Sequence, residues 1–330
     1  MSTPNKWFPD PTPLFHFPFY YATLSSLTVF YRAPIKALQP YLTNTTLAPA
    51  EVGGRGSGVV TMEFQNYTAH LGSGQAPSNP GMSTTNEVEL NIIAYPERWK
   101  QEGRVPDISF EDFVLGQEQT KTLGGYRVNV PADNQVAVKA GADEFGEQKF
   151  FTLFDYQLPC ENNPPGTSCT DWDYTVLDPA YAAKLKSDNP KKVPRTPAAG
   201  YIYRLQAHLG GLTPQVGNPS PITLFSTLPA KPPACAAANL NLAFEPQCAD
   251  RRRPVLPDDI LVASNWNIRG SFSTYFTGLK AETVQLQLGR SKDPMRLNMQ
   301  KLLAEAKLGA VRVYQTPPAA TESRPYLVNV

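Results

Sequence analysis

A chain of 330 residues and 36.3 kDa, with 41% hydrophobic residues, is long enough to bury one large core or two ordinary ones. A net charge of +1 gives no electrostatic footing for nucleic acid or an anionic membrane surface. Thirty-three prolines and 22 glycines, scattered throughout, leave few windows in which a long helix survives, so short strands are expected.

Along the chain, residues 1–13, "MSTPNKWFPDPTP", lack the basic start and apolar stretch of a signal peptide. Residues 14–31, "LFHFPFYYATLSSLTVFY", carry His16, Pro18 and several hydroxyls and fall short of the roughly 20 clean apolar residues of a membrane span. The chain therefore reads as soluble and cytoplasmic, unless a leader has been removed. "SSLTVFYRA" is strand-like and runs into "APIKALQPYL", a short helix with Pro34 in its first turn. "GSGVVTMEFQNYTAHL", "NEVELNIIAY", "YRVNV", "QVAVKAG" and "KFFTLFDYQL" follow as strands, each rich in Val, Ile, Thr, Tyr or Phe and bounded by Gly, Pro or Asn. The alternation of Lys139 with Val136 and Val138 puts that lysine on a solvent face. "DPAYAAKLKS" has helical spacing; "GYIYRLQAHL", "ITLFSTL", "TVQLQLG" and "AVRVYQT" are strands; "PMRLNMQKLLAEAKLG" is a helix ending at Gly309 as C-cap. The expected architecture is mainly β (α+β), antiparallel, a barrel or a sandwich with a few short helices. One domain over residues 1–330 is expected, with long loops at about 97–123, 160–199 and 229–259 that lack the monotony of a linker. The basic runs "KKVPR" and "RRRP" at Arg251 are expected as solvated loops.

The four cysteines fall in the last two loops. Cys160–Cys169 and Cys235–Cys248 are spaced as local disulfides, which would mark an exported protein; four free thiols would mark a reducing cytosol, and both stay open. No CxxC pattern joins the isolated His16, His70 and His208, and Asp171 and Asp173 in "TDWDY" lack the acceptor ladder of a calcium loop, so no metal is expected. "GGRGSG" precedes a strand rather than a helix, which removes the phosphate cradle, and no GxSxG elbow occurs. What remains is Lys149, an amine at the head of the apolar run Phe150, Phe151, Leu153 and Phe154.

At this point the order of segments resembles the acetoacetate decarboxylase superfamily. "LTVFYRAPIKALQPYL" is similar to the family's early strand and short helix with its Tyr-Arg pair, "VVTMEF" and "TTNEVELNIIAY" to the strands bearing two pocket glutamates, and "ADEFGEQKFF" to the segment ending in the reactive lysine. "TVQLQLGRSKDPMRLNMQKLLAEAKLGAVRVY" is similar to the closing strands. The resemblance implies a cone-like closed antiparallel β-barrel and a Schiff-base lyase, a decarboxylase or aldolase-type enzyme acting on a small-molecule keto acid without a cofactor. Its catalytic residues would be Lys149, Glu63 and Glu87, with Phe145, Phe150 and Arg32 on the substrate. Phe150 stands where the family has a second lysine, Gln148 where it has a proline, and Leu24 where it has an arginine, so a keto acid other than acetoacetate is expected. The alternatives are the same fold without an imine, using Glu63 or Glu87 as acid and base, or a catalytically silent ligand-binding member. A homo-oligomer is left open.

Overall fold

The computed structural model describes residues 17–70, 84–159, 170–185, 200–218, 222–230, 252–268, 272–315, 320–322 and 326–327. The chain enters on β1 (Phe19–Pro34), which Pro34 ends, and turns through α1 (Ile35–Leu38) into β2 (Leu47–Pro49). β3 (Ser57–His70) and β4 (Thr85–Pro96) are long because neither carries a proline before its last residue. Pro96 then opens α2 (Glu97–Gln101), and Ser109 caps α3 (Phe110–Val114) by accepting from the Asp112 amide. β5 (Gly124–Ala132) leads to α4 (Gln135–Glu144), followed by β6 (Lys149–Phe151), β7 (Phe154–Gln157), β8 (Asp171–Leu177) and α5 (Pro179–Ala182). β9 (Tyr201–His208), β10 (Gln215–Gly217), β11 (Ile222–Leu228) and β12 (Ile260–Ile268) come next. The chain finishes with β13 (Phe272–Tyr275), β14 (Val284–Leu288), α6 (Pro294–Leu302), β15 (Lys307–Gln315), β16 (Ala320–Glu322) and β17 (Tyr326–Leu327).

Thirteen of these strands form one mixed sheet, and β14, β9, β8 and β7 form a second. Within the large sheet the ladder runs β1–β3–β4–β5–β11–β12, and the short β16 pairs with both β12 and β1. Period-2 alternation gives this sheet two unlike faces. Leu27 and Val29 of β1, Val60, Met62 and Phe64 of β3, and Val88, Leu90 and Ile92 of β4 all point to one side. There they meet Trp172, Tyr174, Tyr203 and Leu205 of the second sheet and Met295, Met299 and Leu302 of α6 in one core. Phe64 stacks on Tyr174 at 4.4 Å between ring centroids. The opposite side carries Ser26, Thr28, Thr61, Glu63, Gln65, Glu87, Glu89 and Asn91, every one of them buried. Burying polar and charged groups is costly unless they are partnered, so a buried polar face marks the working side of the sheet.

Several expectations are corrected. The sheet is mixed rather than purely antiparallel as expected, because β5 lies parallel to both β6 and β11, and short strands branch from it. "QVAVKAG" is the helix α4, not a strand: the Asn134 side chain accepts from the amides of Val136 and Ala137, capping a turn, and Val136 and Ala140 then bury one helical face. Lys139 accordingly pairs with Asp143 one turn on, at 2.5 Å. α6 stops at Leu302, and Gly309 lies inside β15 rather than at a helix end. The expected loop 97–123 contains α2 and α3. Arg252 and Arg253 of the basic run are not free loop charges, being paired to Asp293 at 2.7 Å and Asp259 at 2.6 Å. All four cysteines lie outside the described residues. Among the described residues no helix is long and apolar enough to cross a membrane.

Candidate active site

β6 is three residues long and hydrogen-bonded alongside β5, with Lys149 opposite Val130 and Phe150 opposite Pro131. Successive strand residues face opposite ways, so the lysine and the phenylalanine part company. Phe150 is 1% exposed in the main apolar core, with the Arg252 guanidinium 3.9 Å above its ring centroid. Lys149 turns to the polar face and is 5% exposed. Its Nζ donates to Glu87 Oε1 at 2.8 Å and lies 3.0 Å from Glu147 Oε2.

Each of these carboxylates is held on its other side. Glu87 Oε2 accepts from the Tyr67 hydroxyl at 2.7 Å, across the β3–β4 pairing. Glu147 stands two residues before the lysine, in a tight turn in which the Lys149 amide donates to the Glu147 carbonyl at 2.7 Å, and its Oε1 pairs with Arg127 Nη1. Arg127, 2% exposed, also reaches Glu89 Oε1 at 2.9 Å. It does so because of a bulge in the β4–β5 pairing. Leu90 faces Asn129, but after the register shift Asn91 faces Arg127 instead of Val128. Asn129 stays on the apolar side, where it accepts from Asn298 of α6, while Arg127 swings among the carboxylates.

The row continues past Arg127. Glu89 Oε2 accepts from Asn91 Nδ2 at 3.0 Å, and Glu63 lies directly opposite Glu89 in the β3–β4 register. Burial, and then the like charge of Glu89, push the Glu63 carboxyl up to about 7 against the pull of Arg312 and a hydrogen bond with Thr28. Along this row four carboxylates (Glu63, Glu87, Glu89 and Glu147) meet three cations (Lys149, Arg127 and Arg312). One extra proton neutralises it, and Glu63 is the place that proton favours. Burial also raises Asp133 to about 6, against hydrogen bonds from Asn86 beside Glu87.

Lys149 and Glu147 form the polar end of a narrow cleft whose walls include Phe19, Tyr21, Val136 and Phe145. Phe19 and Phe145 meet edge to face at 5.8 Å. α4 roofs this end, and Gly141 is the helical residue that lets the side chains pass: a methyl there would overlap Glu147 Oε2 and Lys149 Cδ. In an open helix Gly→Ala stabilises by up to about 1 kcal/mol. Here Gly141→Ala is expected instead to lower the melting temperature and to slow any covalent labelling of Lys149 about tenfold or more, through the misplacement penalty. A thermal melt and a labelling time course check both.

Of the residues expected from sequence, Lys149 and Phe145 line this cleft, and Glu87 is held against Lys149. Glu63 stands further along the polar row in a neighbouring cleft with Arg312, and no residue lines both clefts. Phe150 is corrected to a core residue by strand alternation. Arg32 is corrected too: it is exposed, donates to the Gly53 carbonyl at 3.1 Å and lies over the Phe110 ring, remote from the lysine. Glu147, Tyr67 and Arg127 were not foreseen. No strand alternation pointed to Glu147, which reaches Lys149 through a turn outside β6. Among the described residues no group of three or more His, Cys, Asp or Glu side chains could hold a metal ion.

No family model and no curated protein sequence matches the chain. Solved structures do. The enduracididine biosynthesis enzyme MppR complexed with pyruvate superposes with a TM-score of 0.55 at 13% identity, covering 96% of this chain and 91% of that one. An acetoacetate decarboxylase-like enzyme from Sphingomonas wittichii RW1 gives 0.53 at 16% identity, covering 98% of both. The fold is acetoacetate decarboxylase-like. Acetoacetate decarboxylase from Legionella pneumophila gives 0.51 at 10% identity, covering 98% of this chain and 94% of that one. The acetoacetate decarboxylase-like fold thus extends over nearly the whole chain at identities that carry fold alone.

Proposed function

We propose that the chain is a Schiff-base-forming carbon–carbon lyase, of decarboxylase or aldolase type, acting on a keto acid through Lys149. The observation that carries this is a buried amine at the polar end of an apolar cleft, bracketed by two carboxylates that are themselves fixed from behind. That one fold neighbour was solved with a keto acid, pyruvate, fits the substrate class.

A nucleophilic amine has to be neutral, so the reaction starts with Lys149 passing a proton to a carboxylate. Glu87 suits that exchange, since its second oxygen meets a neutral phenol, whereas Glu147 is locked to the Arg127 cation. The amine nitrogen then attacks the keto carbon, and the carbinolamine loses water with the proton returned by Glu87. The cationic imine that results draws the electron pair of the breaking carbon–carbon bond onto nitrogen, giving an enamine and, for a decarboxylation, carbon dioxide. Protonation at carbon and hydrolysis restore the lysine. Glu147 remains an anion beside the imine cation, held there by Arg127. Glu63 enters only through the row Glu89–Arg127–Glu147, as a reservoir for the proton that the row carries.

The test is borohydride reduction in the presence of pyruvate or acetoacetate. A mass increment on the peptide containing Lys149, absent from Lys149→Ala, is expected; wild-type protein that gains no increment with any small keto acid sinks the proposal. The two ion pairs of Lys149 also fit a second reading, in which a fixed ammonium binds a substrate carboxylate while Glu87 or Glu63 acts as acid and base. Turnover without a trappable adduct would favour it.

A further inference from the structure

We propose that the neighbouring cleft, where Asn91 and Arg312 meet a ring of apolar side chains, is a second binding site, for a small aromatic carboxylate. Arg312 projects from β15 opposite Thr28 of β1 and is 9% exposed. Its guanidinium lies 4.3 Å from the Phe272 ring centroid and 5.1 Å from that of Phe30. Among the described residues it has no hydrogen bond and no carboxylate within ion-pair distance, and its Nε is buried without a partner. The Asn91 Oδ1 acceptor on the same wall is likewise buried and unpartnered. A buried cation with no carboxylate in contact is costly, and neither two rings nor Glu63 beyond ion-pair distance replaces its hydration.

The space beside it is shaped for what is missing. The cleft opens to solvent, and Ile93, Phe113 and Leu123 supply apolar walls. A carboxylate would take the fork of donors that Arg312 presents, its ring would lie against the phenylalanines, and a hydroxyl or amine on the ring would reach Asn91 Oδ1. No residue lines both this cleft and the Lys149 cleft, so a ligand here binds without forming an imine.

The charges around the site also set its pH response. Glu63 on β3 shares the cleft and is faced by Thr28 of β1, Glu89 of β4, Arg127 of β5 and Arg312 of β15, with Glu118 on the adjoining loop. While protonated, Glu63 leaves Arg312 to the ligand; once ionised, it competes for the same cation. Binding is therefore tighter on the acid side of neutrality.

The experiment is calorimetric titration with benzoate, which has no ketone and cannot form an imine. Wild-type protein is expected to bind one benzoate per chain, more tightly at about pH 6 than at about pH 8, and Arg312→Gln to weaken this about tenfold or more, the loss of a charge-assisted contact. Lys149→Ala is expected to bind as wild type, and Glu63→Gln to bind with no pH dependence across that range. Absence of binding to the wild type, affinity unchanged in Arg312→Gln, or affinity lost in Lys149→Ala each overturns the site. Should Arg312→Gln not fold, Phe113→Trp, which narrows the cleft from its partly exposed wall, must weaken binding instead; unchanged affinity there overturns it equally.

Discussion

Arg127→Met is expected to destabilise the protein by about 3–5 kcal/mol, the cost of breaking a buried ion pair by removing one partner. Among the described residues Arg127 is the single cation touching both Glu89 and Glu147, and all three side chains are almost fully buried. The variant leaves two carboxylates facing each other in a place that water does not reach. Urea unfolding measures the loss as a shift of midpoint at constant slope. The same variant is expected to weaken borohydride trapping at Lys149, because Glu147 loses what holds it beside the amine. Adding Glu89→Gln and Glu147→Gln to Arg127→Met removes the stranded charges and should recover most of the stability but none of the trapping. A loss under about 1 kcal/mol for the single variant would mean that the row is far more hydrated than its burial implies.

Glu63→Gln is expected to stabilise the protein above neutral pH and to leave it unchanged in acid. The Glu63 carboxyl moves from an ordinary 4.5 to about 7 in the fold, so between those values the folded chain holds a proton that the unfolded chain has released. Stability from this group is complete below the unfolded value and is lost as pH rises through the folded one, a swing of roughly 3 kcal/mol. Asp133, raised from 3.8 to about 6, adds a fall of the same sign at slightly lower pH, and Glu63→Gln leaves that part in place. Melting curves of both proteins at intervals between about pH 4 and pH 9 read the difference. Curves that stay parallel across neutrality would show that Glu63 is ionised throughout.

The alternating strands β1, β3, β4 and β9 were legible because their period and their bounding Gly, Pro and Asn residues agree. Lys149 and Glu87, whose place in the order of segments pointed to one site, lie within hydrogen-bond distance of each other. α4 was not legible, since Val136, Val138 and Ala140 satisfy a strand's alternation as well as a helix's stripe, and only the Asn134 cap decides between them. Arg127 was hidden by the bulge: plain alternation in "YRVNV" puts it on the face of Asn129, and a one-residue register shift separates the two. Glu63 and Glu87 are both on the polar face, as their strands predict, but periodicity fixes a face and not a cleft. Tyr67 and Arg312 became visible only through pairing between distant strands, which no local pattern encodes.

The position of β1 has a consequence for how the chain is made. β1 pairs along one edge with β3, available once residue 70 has been synthesised, and along the other with β15, whose pairing runs from Ser25 opposite Gln315 to Arg32 opposite Lys307. For most of synthesis, then, a long strand bearing Leu27, Val29 and Phe30 presents one unpaired edge to whatever lies nearby. Exposed edges of that kind are templates for association with other nascent chains. Closing this one requires contacts spanning nearly the whole sequence, the slowest class to form. Slow synthesis, low temperature and chaperone supply, which keep that edge apart from its neighbours, are therefore expected to raise the yield of native protein.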